Sequence, residues 1–450
     1  MQRYMDVVRQ AGDLHKDGQL EHAAFLYETL LGSNPDDGVI LYMLGTLFSQ
    51  QARFGTAITL LNKAVEINPE LGAAWHNLGV AYRNEGHMEL ARDAYRANIA
   101  LDGDNAETMA MMSGTYVNAG DPNEGVRWAD KALKIEPNNP HAQNQKSLCL
   151  LELGQFEEAW EYYGNRFNLP TVSCQARPFK CNKWDGGRVK KLAIHGEQGL
   201  GDEILFMSCF QDLVDSGQAD EIVVECATRL TKIFKRSFGV KCYGTYDKLV
   251  GAHDDINAYV SMGDLPSFYR KKPGDFPRLP FLRPSKRRVT HYKKRLEKLG
   301  SGLKIGIAWH GGTKGTHQEL RNPDLQYWKD LMEVCPQHKY ISLQYGEHGA
   351  PQANELGIVH WKKGVDDLDE FAALVEACDL IISVCQTAIH FAGGLGKECW
   401  CLTPSQPAWR YGVEGPMLWY GSVELVRQNG ADWSIPFTDI AGRLNVGVST

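Results

Sequence analysis

Residues 73–101 read AAWHNLGVAYRNEGHMELARDAYRANIAL, and their spacing decides the fold of the first third of the chain. Stepping outward from Gly86 by 34 residues meets Gly18, Gly120 and Gly154, with Ala52 at the remaining point. The same step carries Ala91 to Ala23, Ala57 and Ala159, with Gly125 filling the gap, and it relates Pro35, Pro69 and Pro137, with Gly103 replacing the proline once. A fixed period of this length marks stacked helix–turn–helix units. Each position has a physical reason: glycine ends a first helix, the small residue lets two helices approach closely, and proline stops the second helix.

The quoted stretch closely resembles a tetratricopeptide repeat, with Trp75, Leu78, Gly79, Tyr82, Gly86, Ala91 and Tyr95 at the consensus positions. About four complete copies run from residue 4 to residue 139, and a fifth, HAQNQKSLCLLELGQFEEAWEYYGNRF, degrades toward its end. Such an array exposes a long concave face, so a peptide or protein partner is expected. The plainer alternative is a scaffold that fixes domain geometry or holds a homo-oligomer together.

Composition narrows the remaining classes. The 450 residues are 43% hydrophobic and 23% charged, with a formal net charge of −7 and no long basic run, which argues against nucleic acid and anionic membrane as partners. At this length two or three domains are expected. No apolar segment approaches the roughly 18 residues needed to span a bilayer. The opening Met-Gln-Arg-Tyr-Met-Asp lacks the apolar core of a signal peptide, so a cytoplasmic location without a membrane span is expected. Eleven cysteines are scattered without a C-x-x-C pair, and Cys226, Cys378 and Cys401 lie in apolar runs, which reads as packed thiols rather than a disulfide framework or zinc site.

Beyond residue 170 the 34-residue grid disappears. A linker is expected over residues 169–188, rich in proline and polar residues and ending in Trp-Asp-Gly-Gly. Short apolar runs then alternate with amphipathic stretches: KLAIH, EIVVE and NAYVSM, then KIGIAW, YISLQ, DLIISV and CWCLT. That alternation predicts parallel sheets covered on both faces. A proline-rich, basic crossover near residues 271–288 separates two sets. The expected organisation is an α-solenoid over 1–168, the linker, and two Rossmann-like parallel-sheet domains over 189–285 and 286–450, with a cleft between the sheets.

Ligands of such sheets sit beyond the C-terminal ends of the strands, so the strand-to-helix turns are the places to look. In HGEQGLGDEI, residues 195–204, Gly196, Gly199 and Gly201 allow a tight turn or a close ligand, and Asp202 stands near the start of the next helix, which it would also suit as a cap. No Gly-Lys-Ser/Thr follows, so this is not an NTPase phosphate loop. AWHGGTKGTHQELRNPDL, residues 308–325, sets Lys314, His317 and Arg321 among glycines and threonines, a combination suited to a diphosphate, the alternative being a polar surface loop. In DLIISVCQTAIHFAGGLGK, residues 379–397, a buried strand hands over to a helix opened by Gln386, Thr387 and His390, a natural phosphate site unless His390 is simply a satisfied core residue. DDLDEF, residues 366–371, is read as a capping box of Asp367 and Glu370 rather than a metal motif.

Together, HGEQGLGDEILF, KIGIAWHGG, YISLQYG, DDLDEFAALVEACDLIISVCQTAIHFAGGLGK, PAWRYG and LWYGSVELVRQ resemble, in order over about residues 182–428, the ADP-heptose:lipopolysaccharide heptosyltransferase superfamily (glycosyltransferase family 9-like), and its bacterial members with tetratricopeptide repeats ahead of the transferase. The resemblance implies a GT-B fold, a nucleotide-diphosphate sugar held mainly by the C-terminal sheet domain, no metal and no cofactor. It also implies Asp202 as base, Lys314, Gln386, Thr387 and His390 at the donor phosphates, and Gly199, Gly201, Trp309, His310, Gln344 and Cys385 around nucleotide and sugar. Cys385 departs from the family, which has aspartate there; it is read as a packed residue rather than a nucleophile. The implied function is an inverting glycosyltransferase acting on a protein or peptide brought by the repeats. The alternatives are a degenerate nucleotide-binding scaffold and a transferase for saccharide or lipid-linked acceptors.

Overall fold

The computed structural model describes residues 2–117, 119–169, 174, 176–312, 318–428, 430 and 432–446. The chain forms two compact units, Met1–Cys149 and Leu150–Thr450.

The first unit is a stack of antiparallel helix pairs: α1 (Gln2–Lys16) with α2 (Leu20–Ser33), α3 (Gly38–Gln50) with α4 (Phe54–Ile67), α5 (Gly72–Asn84) with α6 (Met88–Asp102), and α7 (Ala106–Val117) with α8 (Pro122–Ile135). The helices α9 (Pro140–Glu152) and α10 (Phe156–Tyr163) follow, and the boundary between the two units falls within α9. The glycine grid lies in the turn within each pair, and all four glycines are left-handed: Gly18 at φ 76°, Gly86 at 85°, Gly120 at 76° and Gly154 at 72°. Ala52 takes the same conformation, φ 57°, without glycine's freedom. Close helix approach explains the small residues. Ala23, Ala57 and Ala91 are fully buried, and a Cβ on Gly79 would lie 2.5 Å from the Tyr95 ring. Aliphatic and aromatic side chains of α1 to α5, among them Tyr27, Leu44, Leu61 and Leu78, make one buried cluster of the unit.

The second unit holds two parallel sheets. The first joins β1 (Asn182–Lys183), β2 (Val189–His195), β3 (Ala219–Glu225), β4 (Lys241–Tyr243) and β5 (Ala258–Ser261) in the order β1-β5-β2-β3-β4. The second joins β6 (Lys304–Ala308), β7 (Lys339–Ser342), β8 (Val359–His360), β9 (Leu380–Val384), β10 (Cys399–Thr403) and β11 (Val423–Arg427) in the order β11-β10-β9-β6-β7-β8. Counted from β6 this is 3-2-1-4-5-6, the doubly wound order whose crevice opens where the winding reverses. The reversal falls between β6 and β9 in the second sheet and between β2 and β5 in the first. Strands beside the crevices carry buried apolar stretches because both sheet faces are covered there. Ile305, Ile307, Ile381, Ile382, Ala193 and Ile194 are fully buried.

Part of the stretch expected as a linker joins the first sheet: β1 pairs with β5, and Trp184 is buried with its indole N–H on the Gly187 carbonyl. The crossover also packs. The Phe281 and Leu282 amides both donate to the Gly394 carbonyl at 2.8 Å, which ties it to the end of the helix Thr387–Leu395. No helix among the described residues is long and apolar enough to cross a membrane.

Candidate functional site

The turn after β2 runs through Gln198, which is left-handed at φ 60°, into α11 (Leu200–Phe206). Asp202 caps that helix: its Oδ2 accepts from the Gly199 amide at 3.1 Å. Its Oδ1 has a second partner. Arg410, in the turn Trp409–Tyr411 after β10 of the second sheet, pairs with it through Nη2. Nη2 also donates to Gln198 Oε1 at 3.1 Å, and Gln198 Nε2 donates to the Tyr163 hydroxyl at 2.9 Å. Burial disfavours the charged guanidinium, but Asp202, with Tyr163 and Tyr411, together outweigh it and raise Arg410 above its ordinary pKa.

Across from α11 stands the helix Thr387–Leu395, with Gln386 as its N-cap. Gln386 is 6% exposed, and neither its amide oxygen nor its amide nitrogen has a hydrogen-bond partner among the described residues. An unsatisfied buried amide costs about 1–3 kcal/mol. Gly311, just past β6, lies so close that a Cβ would sit 2.7 Å from that of Gln386. Thr387 opens the helix beside a small apolar recess that Leu200, Tyr345, Leu368 and Phe371 also line. His390 is buried; its Nδ1 is 3.0 Å from the Tyr420 hydroxyl, and a Cβ on Gly201 would lie 2.6 Å from its ring. Burial first and Arg410 second lower its pKa to about 3, so the imidazole is neutral near pH 7 and offers a hydrogen bond, not a charge.

Asp202, Gly199, Gly201 and His390 therefore meet in one cluster, with Gln386 and Thr387 at the start of the histidine's helix. Other residues singled out from the sequence do different work. Gln344 accepts from the Trp309 and His310 amides at 3.1 and 2.9 Å and donates to the His310 and Tyr345 carbonyls at 3.0 and 3.1 Å. Its amide staples the loop after β6 to that after β7, which leaves nothing for a nucleoside. Trp309 is a core residue with its indole N–H on Gln352, 2.6 Å away. His310 is half-buried, its ring 4.0 Å from that of His348. Cys385 is packed, its Sγ 3.7 Å from both Cys401 Sγ and the Leu402 carbonyl. Lys314 and His317 lie outside the described residues, and Arg321 closes the short helix Gln318–Arg321.

In DDLDEF, Asp367 caps the helix Leu368–Ala377 by accepting from the Asp369 and Glu370 amides. Asp369 pairs with Arg236 and Arg288, and Glu370 with Arg288 and Lys363. No group of three or more His, Cys, Asp or Glu among the described residues is placed to hold a metal.

Arg410, Gln198, Tyr163 and Tyr420 were not anticipated. Arg410 does fall in the PAWRYG segment, but 208 positions separate it from Asp202, and no local spacing links the two.

Two tetratricopeptide repeat models match the chain, over residues 42–106 and 128–161, so the N-terminal region carries such repeats. Protein FlbA of Caulobacter vibrioides is 29% identical over 417 residues, covering 87% of this chain and 64% of FlbA. The chain thus spans just under two thirds of that relative's length. A Hordeum vulgare protein named probable UDP-N-acetylglucosamine–peptide N-acetylglucosaminyltransferase SPINDLY is 28% identical over 165 residues, 35% of this chain and 18% of that protein. Among solved structures, a crystal structure of MamA is 22% identical with a TM-score of 0.32, covering 34% of this chain and 91% of that one.

Proposed function

We propose that the chain is an inverting, metal-independent glycosyltransferase that moves a sugar from a nucleotide-diphosphate sugar to a hydroxyl of a protein or peptide recruited by the repeats. In this reading the two sheets form a GT-B pair, with residues 189–285 carrying the base and 286–450 the donor. One juxtaposition supports it above all. Gly201 lets α11 pack on the His390 ring, so a carboxylate from one doubly wound sheet and a helix N-terminus from the other share a cluster. SPINDLY's name supplies a precedent in which peptide is the acceptor and a UDP-sugar the donor.

The chemistry follows from the parts. The acceptor oxygen attacks the anomeric carbon while the bond from that carbon to the phosphate oxygen breaks, and its electron pair leaves with the diphosphate. The hydroxyl proton passes to Asp202. The leaving charge is met by the N-terminus of the helix Thr387–Leu395 and by Gln386, Thr387 and His390, with Lys314 assigned to the same role by the resemblance alone.

A second reading, a nucleotide-binding scaffold without turnover, is favoured by Cys385 standing where the resembled family has aspartate and by the ion pair that engages Asp202. Thermal melting of the full chain with GDP, UDP, ADP, CMP and dTDP and their sugars tests both. A nucleotide at about 100 times its dissociation constant stabilises by roughly 2.7 kcal/mol. Transferase chemistry requires a hit kept by Asp202→Asn and lost in His390→Ala or Thr387→Val, followed by Asp202-dependent hydrolysis or transfer. Binding without either leaves the scaffold, and no hit at millimolar nucleotide sinks the donor site.

A further inference from the structure

The donor mechanism above leaves Arg410 unused. Its guanidinium reaches from the second sheet to Asp202 on the first, and the pair is well shielded, with side-chain exposures of 16% and 20%. One nitrogen, Nη2, serves both Asp202 and Gln198, and the group lies over the Trp409 ring at 4.9 Å. Nε is buried and has no hydrogen-bond partner among the described residues. Part of the fork is therefore idle, although a guanidinium offers five donors in a rigid plane that fits carboxylate and phosphate equally well.

The surroundings contain a place for that idle edge to act. Asp202, which Arg410 holds, follows Gly201, and a Cβ on Gly201 would lie 2.6 Å from the His390 ring. His390 belongs to the helix whose N-cap, Gln386, is 6% exposed with both amide atoms unpartnered among the described residues. One cation thus holds a carboxylate whose own helix packs, through Gly201, against the helix that Gln386 caps. Two anions, the Asp202 side chain and a diphosphate at the helix, would compete for it.

We propose that Arg410 is a positioning residue for the donor reaction, an inference that rests on the donor-site reading: it holds Asp202 in the ligand-free chain and turns to the diphosphate when that anion enters. The carboxylate is then released to the acceptor hydroxyl only after the donor is seated. The exchange orders the binding steps and keeps the base occupied while no sugar is present.

Competition has a sign that a structural role lacks. Asp202→Asn removes the internal rival, so a diphosphate should bind about 10-fold tighter, whereas Arg410→Gln should bind roughly 10- to 100-fold weaker, the range of one charged hydrogen-bonding group. In the double variant the gain from Asp202→Asn should vanish, and Arg410→Lys, which keeps the charge but not the fork, should fall between. The experiment is titration calorimetry of the full chain with UDP, GDP, ADP and inorganic pyrophosphate across these variants and Thr387→Val. If Asp202→Asn tightens binding equally with and without Arg410, the effect is simple removal of a nearby negative charge and the proposal fails. Unchanged binding in Arg410→Gln together with loss in Thr387→Val also overturns it, while leaving the donor site standing. Absence of binding by every probe to both wild type and Asp202→Asn removes the donor-site reading and the proposal with it. Should Arg410→Gln not fold, the comparison of Asp202→Asn in the wild-type and Arg410→Lys backgrounds carries the test: the gain must shrink in the latter.

Discussion

Single residues show why some of the fold can be read directly and some of the site cannot. Gly18, Gly86, Gly120 and Gly154 announce the repeat because each turn needs a left-handed residue, and glycine adopts that backbone without strain. Ala52 supports the rule from the other side: it occupies the same turn at φ 57° and has a Cβ there. A left-handed backbone costs an ordinary residue about 1–2 kcal/mol, and glycine returns part of that through its freer unfolded chain. Ala52→Gly should therefore stabilise the repeat unit by about 1 kcal/mol, read as a higher urea midpoint of the helical signal. A lower midpoint would mean that contacts of the Ala52 methyl outweigh the strain. Arg410 is the opposite case. An arginine in a loop has no periodic partner, and only the folded chain brings it to Asp202.

At the scale of elements, the strands read from sequence and the strands missed divide by position. KLAIH, EIVVE, NAYVSM, KIGIAW, YISLQ, DLIISV and CWCLT correspond to β2, β3, β5, β6, β7, β9 and β10. The four not anticipated, β1, β4, β8 and β11, are the four sheet edges. An interior strand is covered on both faces over part of its length and writes a short apolar run there. An edge is short and partly wet: β1 has two exposed residues, and Glu424 on β11 faces solvent. The contact between α11 and the helix Thr387–Leu395 was equally illegible, because it depends on what faces Gly201 in the folded chain. It makes a direct prediction. Gly201→Ala puts a Cβ 2.6 Å from a buried ring held by Tyr420, and overpacking of this kind costs about 1–3 kcal/mol. Gly251→Ala, with nothing within 4 Å of its Cβ, should be near neutral or slightly stabilising. Adding His390→Ala should relieve the clash, so the Gly201→Ala and His390→Ala losses must fall short of additive in a double-mutant cycle. Additive losses would deny that the two helices meet at this point.

On the scale of the whole second unit, buried charges set how stability answers pH. Arg166 pairs with Glu197 and Asp264 and donates to Ser261 at 2.9 Å, joining the turn after α10 to the ends of β2 and β5. Burial alone would raise both carboxyls. Arg166, with Lys183 helping at Asp264, outweighs it and holds both below their ordinary values. Their contribution is therefore present above the unfolded values near 4 and is lost in acid. Glu152 has no such partner. It is 3% exposed with Oε2 unpaired, and burial pushes it up to about 8. A raised carboxyl works in the other direction: the folded state favours the protonated form, so stability is full below the unfolded value of 4.5 and declines as pH climbs through 8. Each pKa unit corresponds to roughly 1.4 kcal/mol between protonation states. Glu152→Gln cannot ionise, so it should lose less stability than the wild type between pH 5 and pH 9, and the difference between the two should open almost wholly in that interval. Urea titrations at unit steps of pH measure it. A constant difference across the range would show that Glu152 ionises in the folded chain as readily as in the unfolded one, and would place its burial cost outside proton linkage.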